Sequence, residues 1–375
     1  MIAADFELIT APGAKKNALE KAFLKLTNEQ TGLLDYISEQ KNATIQGVAG
    51  TGKTLIAKEA ARRFGIQGRK ILFLCFNRML FSFLAHMYPY ENVMYYNIHT
   101  FITRYSAERN DLSNPKDRSH ALIQIDWDKL DFDDIIIDEG QDFDNDEIIY
   151  FKEYSELIEG HFFVFYDKNQ MLTTKEIPQW IRDSECKLVL TKNCRNTYEI
   201  ALTSYNVIDI ELNQKITMVN GDKTSISFVK GDPLMKLSRL IKYYTDDRNG
   251  YSLCDIVILS LKKEEDSILN GIYKISGIPI SREQNNTSIL FTTAIKFKGL
   301  ESRVIIITDI DESAFSEEKR RVFYIACSRA TQRLSLFINA DEGGVKQIAD
   351  SIGGVKRFTP QRKIIMKTQA QLMEL

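Results

Sequence analysis

Cysteine and histidine are scarce in this sequence. Five cysteines (Cys75, Cys186, Cys194, Cys254 and Cys327) are scattered through 375 residues without a CxxC pair. That argues against a disulfide framework or a zinc site and fits a reducing compartment. Four histidines, His86, His99, His120 and His161, are too few for a His-rich metal site. The first residues lack the basic start and apolar core of a signal peptide. No apolar run is long enough to span a membrane. A soluble cytoplasmic protein is therefore expected. The net charge is −2, so no global positive field advertises nucleic acid. A nucleic-acid partner would require basic residues confined to one groove. No short-period repeat is visible.

What is present is ordinary globular material, 44% hydrophobic and 27% charged, enough for two cores of typical size. Apolar runs alternate with helical stretches from about residue 29. Ala43–Gln46, Lys70–Cys75, Asp134–Ile137, Phe162–Tyr166 and Lys187–Thr191 read as buried parallel strands, because both faces are apolar. Thr54–Phe64 reads as a helix closed by Gly65. The second half repeats the style with strands at Ser225–Val229, Cys254–Ser260, Ile289–Thr293, Arg303–Thr308 and Arg333–Ile338, and helices at Asp232–Tyr244 and Lys319–Cys327. The expected fold class is α/β, with two domains meeting near residue 190. Ser106–Asp133 reads as irregular. Lys356–Lys367 carries five basic residues and no acidic one, as a solvated end or a nucleic-acid or partner contact.

Gly47-Val48-Ala49-Gly50-Thr51-Gly52-Lys53-Thr54 matches GxxxxGK[ST] between a strand and a helix. Gly47, Gly50 and Gly52 let backbone N–H groups wrap phosphate oxygens at a helix N-terminus. Lys53 would reach the β- and γ-phosphates of ATP, and Thr54 would hold Mg²⁺. Asp134-Ile135-Ile136-Ile137-Asp138-Glu139 buries a strand and places two carboxylates at its C-terminal end, where ligands bind in open α/β sheets. Asp138 suits Mg²⁺ and Glu139 suits activation of the attacking water.

Asp138-Glu139-Gly140-Gln141-Asp142 resembles the DExQD signature of the UvrD/Rep group of superfamily-one helicases. Other segments follow in that family's order. Leu26–Gln30 resembles its Q motif, which implies that Gln30 reads adenine. Cys75-Phe76-Asn77 and Ile98-His99-Thr100-Phe101 resemble segments that touch single strands. Asp167–Gln170 resembles GDxxQ, Asn193–Asn196 resembles NYR, Thr293–Glu301 resembles TxHxxKGLE, and Tyr324–Ala330 resembles YVAxTRA.

The resemblance covers about residues 26–338. It implies two RecA-like P-loop domains with parallel sheets and ATP between them. The first is expected over 1–188 and the second over 189–345, with a basic tail at 346–375. It further implies Arg195 and Arg329 as arginine fingers, Gln170 as γ-phosphate sensor and Glu301 as ribose contact. The implied activity is that of an ATP-dependent DNA helicase or single-stranded DNA translocase of 3′→5′ polarity, with RNA as an alternative track. Phe76, Asn77, Thr100, Phe101 and Trp180 are the candidate nucleic-acid contacts; for Phe76, Phe101 and Trp180 a place in the core is the competing reading.

Three positions depart from the family pattern. Cys194 stands where the adenine-stacking tyrosine is usual, Ile295 where a histidine is usual, and Tyr166 where GDxxQ has glycine. The gaps at 102–132 and 197–291 are short for inserted accessory domains. A near-minimal motor is expected, or an ATP-driven switch for a separate nuclease or another subunit in DNA repair or phage defence.

Overall fold

The computed structural model describes residues 33–106, 111–171, 177–191, 193, 195–208, 219–228 and 231–338. In the first half these are α1 (Leu33–Ser38), β1 (Asn42–Gly47), α2 (Lys53–Ile66), β2 (Ile71–Cys75), α3 (Arg78–Met87), β3 (Val93–Asn97), α4 (Ile98–Tyr105), α5 (Pro115–Ile123), β4 (Asp134–Ile137), α6 (Asn145–Leu157), β5 (Phe162–Tyr166), the short α7 (Gln179–Arg182) and β6 (Cys186–Leu190). The strands form one sheet in the order β3-β2-β4-β5-β1-β6. Every neighbouring pair in it is parallel. Helices cover both faces, which is why β2, β4 and β5 are buried at every residue.

The second half contains α8 (Tyr198–Val207), β7 (Ser225–Phe228), α9 (Pro233–Thr245), β8 (Ile256–Ser260), β9 (Lys274–Ile275), β10 (Ile278–Ser281), β11 (Ile289–Thr293), β12 (Ser302–Ile310), α10 (Glu317–Ser328) and β13 (Ala330–Ile338). Its sheet runs β7-β13-β12-β8-β11-β10-β9. Only the β9/β10 pair at its edge is antiparallel. Two apolar clusters lie one in each half. A third joins them, packing Leu80 and Leu84 of α3 with Phe297, Leu300 and the α10 face at Phe323.

Local chemistry sets the helix starts. Asn77, Asn114 and Asp232 each cap a helix through their side chains, and Pro115 and Pro233 stand in the first turns of α5 and α9. Asp144 and Glu147 form a reciprocal capping box on α6.

Two expectations are corrected. Ser106–Asp133 is not wholly irregular, because Asn114-Pro115 starts the α5 helix. Nor does Gly65 end α2. The helix runs to Ile66, and the left-handed residue is Gly68, at φ +84°. Gly65 instead permits close packing: a Cβ there would lie 2.5 Å from the Glu91 carbonyl oxygen. Gln30, Cys194 and the basic tail lie outside the described residues, and the 188/189 boundary falls within β6. No helix among the described residues is long and apolar enough to cross a membrane.

Candidate active site

Three adjacent parallel strands, β4, β5 and β1, deliver the chemistry to one edge of the first sheet. Being parallel, they end together. β1 runs into the phosphate loop, β4 into Asp138-Glu139, and β5 into Asp167. The loop turns at Gly50 (φ +83°) and Gly52 (φ +89°), a region that side chains with a Cβ rarely adopt. Thr51 closes it by donating its hydroxyl to the Val48 carbonyl at 2.8 Å. The buried Lys53 ammonium donates to the Gly47 carbonyl at 2.8 Å and to Val48 at 3.3 Å. The loop carbonyls thus hold the lysine at the mouth of the cradle.

Asp138 is fully buried, and its Oδ1 accepts the Glu139 N–H at 3.0 Å. Its Oδ2 is buried with no hydrogen-bond partner among the described residues. Burial, with the Glu139 charge added, pushes its carboxyl up to about 6, and the Thr54 hydroxyl pulls the other way. A buried carboxylate with one oxygen unsatisfied beside a hydroxyl suits a divalent cation, which would be held by Asp138 and Thr54.

Glu139 sits at φ +56°, a strained conformation for a residue with a side chain. Burial alone would raise its carboxyl. The positive charges of Lys298, Lys53 and Arg329, with a hydrogen bond from Gln141, outweigh burial and hold it below the usual value. Glu139 is therefore ionised although buried.

Gln141 donates to Glu139 and accepts the Asp167 N–H at 2.9 Å. Asp167 accepts from Gln170 Nε2 at 2.8 Å, while Gln170 Oε1 is buried without a partner among the described residues. Glu139, Gln141, Asp167 and Gln170 thus form one hydrogen-bonded chain around the loop.

The second half closes over this edge. Asn193 Nδ2 donates to the Ala49 carbonyl at 3.4 Å and to Asn196 Oδ1 at 2.9 Å. Asn196 donates to the carbonyls of Ser328 and Ala330, on either side of Arg329. A Cβ on Gly50 would collide with Asn196 Oδ1 and lie 2.6 Å from Asn193 side-chain atoms, so glycine is also required by this contact. Arg329 caps the C-terminus of α10, is buried, and donates to the Ile325 carbonyl at 3.2 Å. The Lys298 ammonium pairs with Asp142. Asp142 is itself raised by burial, against the pull of Lys298.

Arg195 and Glu301 pair with each other and line a cavity of about 210 Å³. Thr54, Lys58, Phe83 and Tyr88 line the same cavity, and the Lys58 ammonium stands 3.5 Å from the Tyr88 ring centre.

Lys53, Thr54, Asp138, Glu139, Gln170 and Arg329 are thus brought together, with Gly47, Gly50 and Gly52 shaping the loop beneath them. The candidate nucleic-acid contacts do not gather in the same way. Phe101 is fully buried, with its ring against Tyr96, Tyr105 and Phe151. Trp180 is 4% exposed and packs edge-on to Tyr166, the residue standing where GDxxQ has glycine. Neither offers a face for a base, and both are corrected to core residues.

Phe76 is half-buried between His99 and Phe143, with the Arg118 guanidinium 5.2 Å from its ring centre. Asn77 caps α3 and donates to the carbonyls of Lys296 (3.1 Å) and Lys298 (2.8 Å). Thr100 is bonded to Asn97 at the start of α4 and is partly exposed. Gln141, Asp142, Asn193, Asn196, Lys298 and Tyr324 received no role from the sequence. Their signal was their position inside the matched segments.

Among solved structures, the chain is similar to the arterivirus nonstructural protein 10 helicase, at 12% identity over 90% of this chain and 64% of that one, with a TM-score of 0.39. Its complex with DNA gives 12% identity, 84% and 63% coverage and a TM-score of 0.39. The C-terminal domain of a possible DNA helicase from Lactobacillus plantarum WCFS1 gives 18% identity, 39% and 86% coverage and 0.31. This chain thus spans less than two thirds of the viral helicase structures. No curated protein matches it in sequence. The family model for the Schlafen group 3 DNA/RNA helicase domain matches residues 40–239, over half of the chain, from β1 and the phosphate loop into α9. The chain belongs to the Schlafen group 3 DNA/RNA helicase domain family.

Proposed function

We propose that this chain hydrolyses ATP with Mg²⁺ and uses the cycle to move along single-stranded DNA, 3′→5′, in the manner of the UvrD/Rep group that its motifs resemble. The carrying observation is the convergence on one phosphate loop. An ionised, buried Glu139 and an unsatisfied Asp138 oxygen come from the first sheet, and Arg329 and Lys298 come from the second.

When bound, Mg²⁺ would neutralise charge on the β- and γ-phosphates, held by Asp138 and Thr54. Lys53 would exchange its loop carbonyls for phosphate oxygens. Glu139 would orient and deprotonate water, its geometry fixed by Gln141. Arg329, and Arg195 once released from Glu301, would stabilise the transferring phosphoryl charge. The cavity beside Thr54 would take the ribose and base. Closure can be favoured by ATP only through contacts that exist in the closed state, and the arginines and Lys298 supply them.

The test is ATP turnover with and without single-stranded DNA and RNA, with Lys53→Ala as control. Turnover that neither nucleic acid stimulates would sink the translocase reading. Turnover retained in Lys53→Ala would sink the site assignment. Only the nine-residue α5 and a short 3₁₀ turn lie between α4 and β4 among the described residues, so that gap holds no inserted domain there. Weak strand displacement by the isolated chain together with nucleotide-dependent binding of a partner would favour a regulatory ATPase acting on a separate nuclease or repair subunit.

A further inference from the structure

One residue of the second half reaches the phosphate loop through a hydrogen bond to its backbone N–H. The Tyr324 hydroxyl accepts the Ala49 N–H at 3.3 Å. Ala49 stands between the first two glycines of the loop, whose N–H groups are the anion cradle. Tyr324 is fully buried, and Ala49, Ile325 and Ile208 pack in the same small cluster. The Tyr205 ring meets it edge-on, with ring centres 6.2 Å apart. Packing therefore fixes the direction of the hydroxyl.

Burial pushes this phenol well above its ordinary range, so it keeps its proton at any working pH. A phenol can accept and donate at once. Here the acceptor side is used by Ala49, while the proton goes to no acceptor among the described residues. The charges it senses are those of Asp167, beside Gln170, and of Arg329. Such a donor, buried against the phosphate loop, is placed for an anion.

Tyr324 also lies on the helix that Arg329 ends. Asn196, bonded on both sides of Arg329, reaches the loop through Asn193. The loop is thus gauged from the second half at two points, Ala49 N–H by Tyr324 and Ala49 carbonyl by Asn193. Both are rigidly connected to the arginine.

We propose that Tyr324 is a positioning residue that reads the terminal phosphate of the bound nucleotide: its hydroxyl goes on accepting the Ala49 N–H and donates a hydrogen bond to a γ-phosphate oxygen, and this seats α10 with Arg329 in register. A diphosphate leaves the hydroxyl without that acceptor. The inference rests on the ATPase reading above and deepens it, because it assigns discrimination between ATP and ADP to a group outside the loop and the arginines.

The test is Tyr324→Phe in the full chain, which removes one oxygen and leaves the ring. Binding of ADP and of a non-hydrolysable ATP analogue is measured by calorimetry, with thermal unfolding of the nucleotide-free chain as the folding control. The analogue should bind about 10- to 100-fold more weakly, the range for a lost hydrogen bond to a charged group, and ADP within about twofold of the parent. Turnover should fall with the analogue affinity. Equal losses for both nucleotides would show a merely structural tyrosine and overturn the inference. Tighter binding of both would show an occluding contact and overturn it as well. If the variant unfolds, the parent chain with labelled tyrosine supplies the second arm: the Cζ resonance of Tyr324 should shift with the ATP analogue and not with ADP, and equal shifts with both would overturn the inference. If the parent chain binds and hydrolyses no ATP, the ATPase reading fails first. Discrimination that persists in Tyr324→Phe removes this inference alone.

Discussion

Replacing Asp138 by Asn should make the metal-free chain more stable while destroying its activity. Asp138 is fully buried, and its carboxyl is pushed to about 6 against 3.8 in an unfolded chain. Ionised at neutral pH, it therefore destabilises the fold. The gap corresponds to about 3 kcal/mol at 1.36 kcal/mol per tenfold change. Because the Glu139 charge shares in it, about 1–3 kcal/mol is expected. The variant's amide keeps the acceptor for the Glu139 N–H and replaces the unpaired carboxylate oxygen with a neutral group.

The sign follows from proton binding. Above about pH 6 both states of the parent are ionised there, and the cost is fully present. As pH falls from 6 toward 3.8, the folded state binds the proton first and the cost is relieved. The gain of Asp138→Asn over the parent should thus be largest at pH 7–8 and shrink between pH 6 and 4. Urea denaturation in the presence of EDTA across that range measures it, and Mg²⁺-dependent ATP turnover gives the functional loss, about 100-fold or more. A variant that is no more stable at pH 7.5, or whose gain is flat with pH, would refute the reasoning.

Four further outcomes are expected. Lys298→Met removes the strongest of the charges holding Glu139 down, so the acid limb of the kcat–pH profile should move toward neutral, and an unmoved limb would count against Glu139 as the base. Gly50→Ala meets both a left-handed backbone (φ +83°) and the Asn196 side chain, and should lose about 1–2 kcal/mol from the backbone alone and more than tenfold in turnover. Gly68→Ala, at φ +84° with nothing within 4 Å, should lose only the backbone part and keep full turnover, read by thermal melts and ATPase assays side by side. Trp180→Ala should cost about 3–5 kcal/mol of stability in urea, while the folded protein's affinity for a labelled single strand stays within twofold by anisotropy.

The sequence was most legible where backbone geometry demands particular residues. The phosphate loop needs glycine at left-handed positions, and β4 needs isoleucines because both its faces are covered. Those demands are local, and so is the signal. Asn114-Pro115 was also local, a cap followed by a first-turn proline, yet polar neighbours made it read as a turn. Phe101 had a signal as well: it falls with Ile98 and Ile102 on one face of α4, at the helical spacing of a buried stripe. Trp180 had none. Its burial depends on Tyr166, fourteen positions earlier and on another element. The Ala49–Tyr324 contact joins residues 275 positions apart, and no periodicity encodes it. Side-chain chemistry at the sheet edge was readable residue by residue, while the groups that link the two halves became visible only as partners.

Those links place one lysine under two controls. The Lys298 carbonyl accepts from Asn77, the cap of α3 on the first half, and its ammonium pairs with Asp142 beside the catalytic turn. Its charge is also the strongest of those that keep Glu139 ionised. A shift of the Asn77 turn therefore moves the backbone that carries this charge, and at low dielectric a small displacement of a buried charge is felt strongly. The turn and the carboxylate need no direct contact for one to set the basicity of the other. Phe76 immediately precedes this turn and packs edge-on to His99. Lys298→Met keeps the backbone acceptor for Asn77 and removes only the charge. It therefore separates the clamp that joins the halves from the electrostatics that sets the base.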